Sequence, residues 1–464
     1  MIELNIHTKS KTVALLFLLS GVTGTSCIRD GNQNPNFLVI ITDDQTYRAV
    51  GYNNELVKTP NIDKLATNGL IFNRAYVSSP VCVASRASLM TGMYPQTNGT
   101  VALNSKSFIT NVVSEKRYET LPQILNEAGY TTWFCGKSHL GSPSDYGFQA
   151  GDESHDYTDK RTFEDASEFI SRIAATKDRQ PFFLWVAARQ PHLPLLPEEK
   201  WIDLYEGNEI PLDKNFREKP VPVSFYNQGL PGENFYRDSN YTKNYKNLPA
   251  GPPRSSEIVR EFSMAYYATV SHLDYQIGEL IEQMYLKELM KNTIVIFLSD
   301  NGYFLGNHGL GNKLTMHEES VRIPFFIYWD KLIKRSARTD ALISCIDIFS
   351  TIIDLAGIKV PENIQGISLK SLLSGSSEHI RDYVVSESVG SGGKIGEGHR
   401  MVVTGEWKYM LSDIGDEALF NLKNDIYELD NLIKHQEYKE KVSELKSNLM
   451  EWQRLTGDIK KIPD

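Results

Sequence analysis

Four short apolar runs end abruptly in residues that bind metals or handle protons, and this constrains the fold more than any other feature of the chain. Phe37–Ile41 runs into Asp43-Asp44, and Tyr130–Cys135 into Lys137-Ser-His139. Pro181–Ala188 runs into Arg189-Gln-Pro-His192, and Thr293–Leu298 into Asp300-Asn301. Runs this short, β-branched or aromatic and with little alternation, read as strands buried on both faces of a mostly parallel sheet. Ligands of such sheets bind beyond the carboxyl ends of the strands. Four strands thus deliver carboxylates, two histidines and a lysine to one rim, the signature of an enzyme.

The alternation of short strands with helical stretches from residue 30 to about 370 predicts a doubly wound α/β domain. Helices are expected at Asn61–Gly69, at Thr120–Gly129 with a glycine stop, and along the amphipathic stretch Arg254–Leu289. Glu198–Pro253, rich in Pro, Asn, Tyr and charge, reads as a long excursion over the active face. Ser374–Ser377 marks a join. Beyond it four short strands and a charged helix (about Gln436–Leu455) predict a small antiparallel sheet with one helix. The expected layout is a leader at 1–26, a catalytic domain at 27–372 and a C-terminal α+β unit at 373–464. No internal repeat is evident.

At 464 residues the chain can bury a large core, and its net charge of −9 argues against a sequence-independent nucleic-acid binder. Lys9 and Lys11, the apolar run Val13–Leu19 and the small residues to Ser26 form an export leader too short to span a bilayer. The expected product is periplasmic, with no integral span after cleavage. Cys27 offers a lipidation site, but Gly24 stands where a leucine is expected, so the soluble form is preferred. Three cysteines then remain, too few and too odd in number for a disulfide framework. Cys135 and Cys345 sit in apolar surroundings and read as core residues, whereas Cys82 lies beside Ser85 and Arg86.

Asp43-Asp44 alone could cap a helix, and Asp300-Asn301-Gly302 alone could be a turn. Together they supply hard oxygen ligands that suit Ca2+, or Mg2+ in a tighter site. Ser85–Thr91 predicts a short helix stopped by Gly92, with Cys82 at or just before its N-terminus, where backbone amides favour an anion. Arg86, four residues on, shares the cysteine's face.

Cys82-Val-Ala-Ser-Arg86, followed by Ala-Ser-Leu-Met-Thr-Gly92, resembles the sulfatase signature. The likeness spans nearly the whole mature chain, in order: Thr59–Asp63, Gly69–Tyr76, Gly136–Gly141, Arg322–Pro324, then Leu419–Leu422 and Glu428–Leu432. It implies an alkaline-phosphatase/sulfatase-like fold and a formylglycine-dependent sulfuric ester hydrolase. In that family a separate maturation enzyme oxidises the cysteine to formylglycine, which hydrates to a gem-diol and passes through a sulfated hemiacetal. Carried over, Cys82 is the nucleophile, and Asp43, Asp44, Asp300 and Asn301 hold the metal with it. Arg86, Lys137, His139, His192 and Lys313 match positions that bind sulfate or handle protons. Ala84 replaces the commoner proline, which leaves the type of maturation system open.

Gly302-Tyr-Phe-Leu-Gly-Asn-His-Gly309 resembles a run in iduronate-2-sulfatase-like members. This implies a bacterial 2-O-sulfatase acting exolytically on unsaturated uronates of heparin, heparan or chondroitin sulfate oligosaccharides, with Lys106 and His308 as candidates for the uronate carboxylate. A sulfatase of other regiochemistry, a phosphonate or phosphate-ester hydrolase of the same superfamily, and an inactive glycan-binding protein are the competing readings.

Overall fold

The computed structural model describes residues 34–462 apart from 104, 178, 208, 219–254, 332–336 and 390–397. The leader, Cys27 and most of the Glu198–Pro253 excursion lie outside the described residues. The four runs do form strands of one sheet. Its members in chain order are β1 (Asn36–Thr42), β2 (Leu70–Phe72), β3 (Thr131–Gly136), β4 (Ala150–Glu153), β5 (Phe182–Ala187), β6 (Thr293–Ser299), β7 (Phe325–Tyr328) and β8 (Ala337–Thr339). The spatial order is β8-β2-β7-β6-β1-β5-β3-β4. Only β7 runs antiparallel to its neighbours; every other pairing is parallel. β1 therefore sits between β5 and β6, and its last residues, with those of β3, β5 and β6, emerge on the same edge.

Strands buried on both faces need apolar residues at successive positions, and β1, β5 and β6 supply them. Phe37, Val39 and Ile41 pack toward helices α2 (Cys82–Thr91), α3 (Leu121–Glu127) and α6 (Asp347–Leu355), whereas Leu38 and Ile40 pack toward α1 (Pro60–Thr67), α4 (Lys160–Ala175) and α5 (Ser256–Leu286). Helix α5, 31 residues long, begins where Ser255 accepts the Ile258 amide. Cys135 and Cys345 are buried thiols, as expected of core positions.

A four-stranded antiparallel sheet follows: β9 (Tyr383–Ser388), β10 (His399–Thr404), β11 (Trp407–Ser412) and β12 (Glu417–Asn421), with α7 (Lys439–Thr456) against it. Val385, Met401, Tyr409 and Trp452 belong to the same apolar cluster as Phe37 and Val39. The molecule is α/β, with a large mostly parallel sheet and a separate antiparallel one. No described helix is long and apolar enough to cross a membrane.

Candidate active site

Helix α2 begins at Cys82 itself and ends at Gly92, whose φ of 65° is the left-handed stop that glycine adopts without strain. Every residue of α2 is buried. Arg86, one turn on from Cys82, reaches across the rim: its Nε donates to Asp300 Oδ2 at 2.8 Å and a terminal nitrogen donates to the Lys137 carbonyl at 2.8 Å. Asp300 stands next to Asp44, whose amide donates to Asp300 Oδ1 at 3.2 Å. Asn301 Nδ2 donates to Asp44 Oδ1 at 2.7 Å. The side chains following β1 and β6 thereby interlock.

Two lysines close the set. Lys137 pairs with Asp43, and Lys313 pairs with Asp44 while lying 2.9 Å from the Cys82 sulfur. His192 Nδ1 donates to the Leu193 carbonyl at 2.5 Å, and its Nε2 lies 3.7 Å from Asp44 Oδ2. His139, at a φ of 63°, is exposed on the rim. Although part of the side chain is exposed, desolvation of the remainder and the positive charges of Lys137 and Arg86 push its pKa down to about 3.

These groups perturb one another strongly. Burial alone would raise Asp43, but Lys137, His192 and Arg86 overcome it and hold the carboxyl well below its usual range. Asp300, whose burial is compounded by the charge of Asp43, is pushed up to about 7 despite Arg86. Burial pushes the Cys82 thiol up to about 12, against the pull of Lys313 and Lys137. Burial works against charge on Lys313 too, yet Asp44 and the other acids hold it protonated.

Asp43, Cys82 and Asp300 bring one potential ligand atom each within 4.8 Å of one another, as do Asp43, Asp44 and His192. Asp43 Oδ1 and Asn301 Oδ1 are buried without a hydrogen-bond partner among the described residues. Orphaned oxygens among carboxylates are what a hard divalent cation requires.

A match to a family model decides the identity: the model described as "Sulfatase" covers residues 35–358. The chain belongs to the sulfatase family. It is by that membership a sulfuric ester hydrolase, and a second model, "N-sulphoglucosamine sulphohydrolase, C-terminal", matches residues 306–455. This sulfatase is 28% identical to an arylsulfatase of Clostridium perfringens, over 90% of this chain and 94% of that one. It is 26% identical to the N-acetylglucosamine-6-O-sulfatase of Bacteroides thetaiotaomicron, over 97% and 92%. Among solved structures it resembles one described as a 2-O GAG sulfatase, with a TM-score of 0.71, 25% identity and 92% and 93% of the two chains covered.

The two residues assigned to a uronate carboxylate are not among the groups gathered around Cys82. Lys106 is exposed, and His308 is buried beside Asn215 and Glu319. Conversely, three supports were not anticipated. The Tyr266 hydroxyl, from the middle of α5, donates to the Asp44 carbonyl at 2.5 Å. Asp159 accepts the amides of Arg189 and Gln190, at 2.9 and 2.8 Å, and so fixes the turn that carries His192. The Gln190 carbonyl in turn accepts the Asp43 amide at 3.3 Å. Gly302 is pressed so close to the returning chain that a Cβ there would lie 2.0 Å from the Glu319 carbonyl oxygen.

Proposed function

We propose that this sulfatase removes sulfate from glycosaminoglycan saccharides, exolytically, with an oxidised side chain at position 82 as nucleophile and an oxygen-bound divalent cation beside it. The meeting of Cys82, Lys313 and three carboxylates at one rim carries the reading. The unpartnered oxygens of Asp43 and Asn301 support a cation, which Asp43, Asp44, Asp300 and Asn301 would hold. The all-oxygen set favours Ca2+, or Mg2+ in a tighter shell. When bound, the ion supplies Lewis acidity toward the sulfuryl oxygens and the nucleophile. Conversion of Cys82 to formylglycine by a maturation enzyme replaces a thiol held protonated by burial with an aldehyde whose hydrate offers two hydroxyls.

The chain's own residues then divide the work. Arg86 and Lys137 counter the negative charge that spreads over the sulfuryl group as the S–O bond to the sugar breaks. Lys313, which holds its proton and touches position 82, protonates the departing sugar oxygen; His192, beside Asp44, is the second donor candidate. His139, on the exposed rim and kept neutral, takes the proton from the remaining hydroxyl when sulfate leaves.

Two positions of the sulfate ester are in play. The Gly302–Gly309 run and the 2-O GAG sulfatase likeness support uronate 2-O-sulfate at a non-reducing end. Glucosamine 6-O-sulfate is the second reading, supported by the Bacteroides relative that matches over nearly both whole chains. Relative kcat/KM on a panel of 2-O- and 6-O-sulfated disaccharides and aryl phosphate esters separates these from each other and from a phosphate-ester hydrolase. The mass of the peptide bearing position 82, from protein made in its natural host, tests the nucleophile. An aldehyde is expected; a retained thiol in a fully active enzyme would overturn the mechanism.

A further inference from the structure

The loop that leaves Asn301 returns to the sheet through a second buried cluster that the proposed reaction does not use. His308 from that loop, Glu319 from its end and Glu428 from beyond the antiparallel sheet bring one potential ligand atom each within 4.8 Å of one another. The three are buried, at 2%, 2% and 3% exposure. Asn215 Nδ2 donates to Glu319 Oε1 at 2.8 Å and to the Tyr427 carbonyl at 3.2 Å, and lies 3.0 Å from His308 Nε2. Glu319 Oε2 is buried with no hydrogen-bond partner among the described residues and lies 3.9 Å from His308 Nε2.

Among the described residues, the lysine and arginine ion pairs of this region reach Glu318 and Glu428 and not Glu319. Lys408, fully buried, bridges Glu318 at 3.0 Å and Glu428 at 2.8 Å, and Arg322 reaches Glu318 at 3.4 Å. Arg48, another cation whose charge reaches Glu319, is engaged by Asp213 at 2.8 Å, and the charge of Arg217 bears on His308. Among the described residues Glu319 pairs with no lysine or arginine, in a place where an unpaired charge is costly. A proton or a metal ion at Glu319 would offset that charge.

We propose that His308, Glu319 and Glu428 form a second metal site, for a divalent ion of the zinc class. An imidazole with two carboxylates suits such an ion better than calcium, which prefers oxygen alone. The site joins the loop bearing Lys313 to the C-terminal part of the chain at Glu428. It stands apart from the oxygen-only set around Asp43 and does not depend on the reaction proposed above.

The full chain, saturated with Ca2+, is titrated with Zn2+, freed of loose metal by gel filtration and analysed for metal content. One tightly held Zn2+ is expected per chain. It is retained in Asp300→Asn, and bound at least tenfold more weakly in Glu319→Gln and in His308→Asn. Zn2+ is also expected to raise the melting temperature of the parent chain but not of Glu319→Gln. Absence of a tightly held Zn2+ from the parent chain, a measurement that needs no variant, overturns the site in favour of a carboxylic acid proton at Glu319. Equal Zn2+ retention by the folded variants overturns it as well.

Discussion

The loop between Asn301 and Glu319 is anchored by two clusters of buried charge that solve the same problem differently. At the rim, carboxylates after β1 and β6 meet cations from α2, from the turn after β3 and from the loop, and two oxygens stay unmatched. Under the antiparallel sheet, Lys408 sits between Glu318 and Glu428 and is sealed from solvent. Both sets of charges are buried; the rim differs in lying where β1, β3, β5 and β6 end, with His139 exposed and His192 half-buried beside it, whereas Lys408 is held between two carboxylates. Buried ion pairs of the second kind are weak contributors to net stability, yet removing one partner is severe. The first arrangement is suited to chemistry, the second to holding parts of the chain together.

That contrast can be broken at either end. Cys82→Ala should lower kcat/KM by on the order of 10^4-fold or more, as removal of a nucleophile does, and leave the melting temperature nearly unchanged. A large loss of stability would show that the rim is structural. Lys408→Met should do the reverse. It strands Glu318 and Glu428 without their shared cation and should cost about 3–5 kcal/mol in denaturant unfolding, with kcat per folded molecule maintained. A Lys408→Met chain of unchanged stability would mean that the inner charges are not locked.

The smallest effect concerns Asp159, which supports the rim from below. Burial pushes its carboxyl up to about 7, against the amides of Arg189 and Gln190 that it accepts. An acid whose pKa is raised by folding lends its full stability below its unfolded value near 4, and loses it as pH climbs through about 7. The parent chain should therefore melt lower at pH 8 than at pH 5 on this account, and Asp159→Asn should flatten that slope in thermal melts. An unaltered slope would place the pH dependence elsewhere.

Much of this was legible in the sequence. Uninterrupted apolar runs specify doubly buried strands, and residues that follow such strands must emerge together when the strands are parallel. The position of Cys82 at the start of α2, and of Arg86 one turn later, followed from the glycine stop and helical spacing. What the sequence hid comes from distant parts of the chain. Tyr266 lies mid-helix in α5, where its hydroxyl carries no local signal, and Asp159 looks like any helix-capping acid. His308 shows the same limit. A histidine in a glycine-rich loop reads as a rim group, and only the return of the chain through Glu319 shows that it turns inward.

The close approach at Gly302 has a consequence for how such a loop can vary. Its amide donates to the Ser320 carbonyl at 2.9 Å, and no side chain could be accommodated against Glu319. The two feet of the loop are thus cinched together beside Asp300 and Asn301. Residues added or exchanged near its tip would lengthen an arch whose footing stays put, so contacts with a new sugar could be tried there while the oxygen cage at its base keeps its shape.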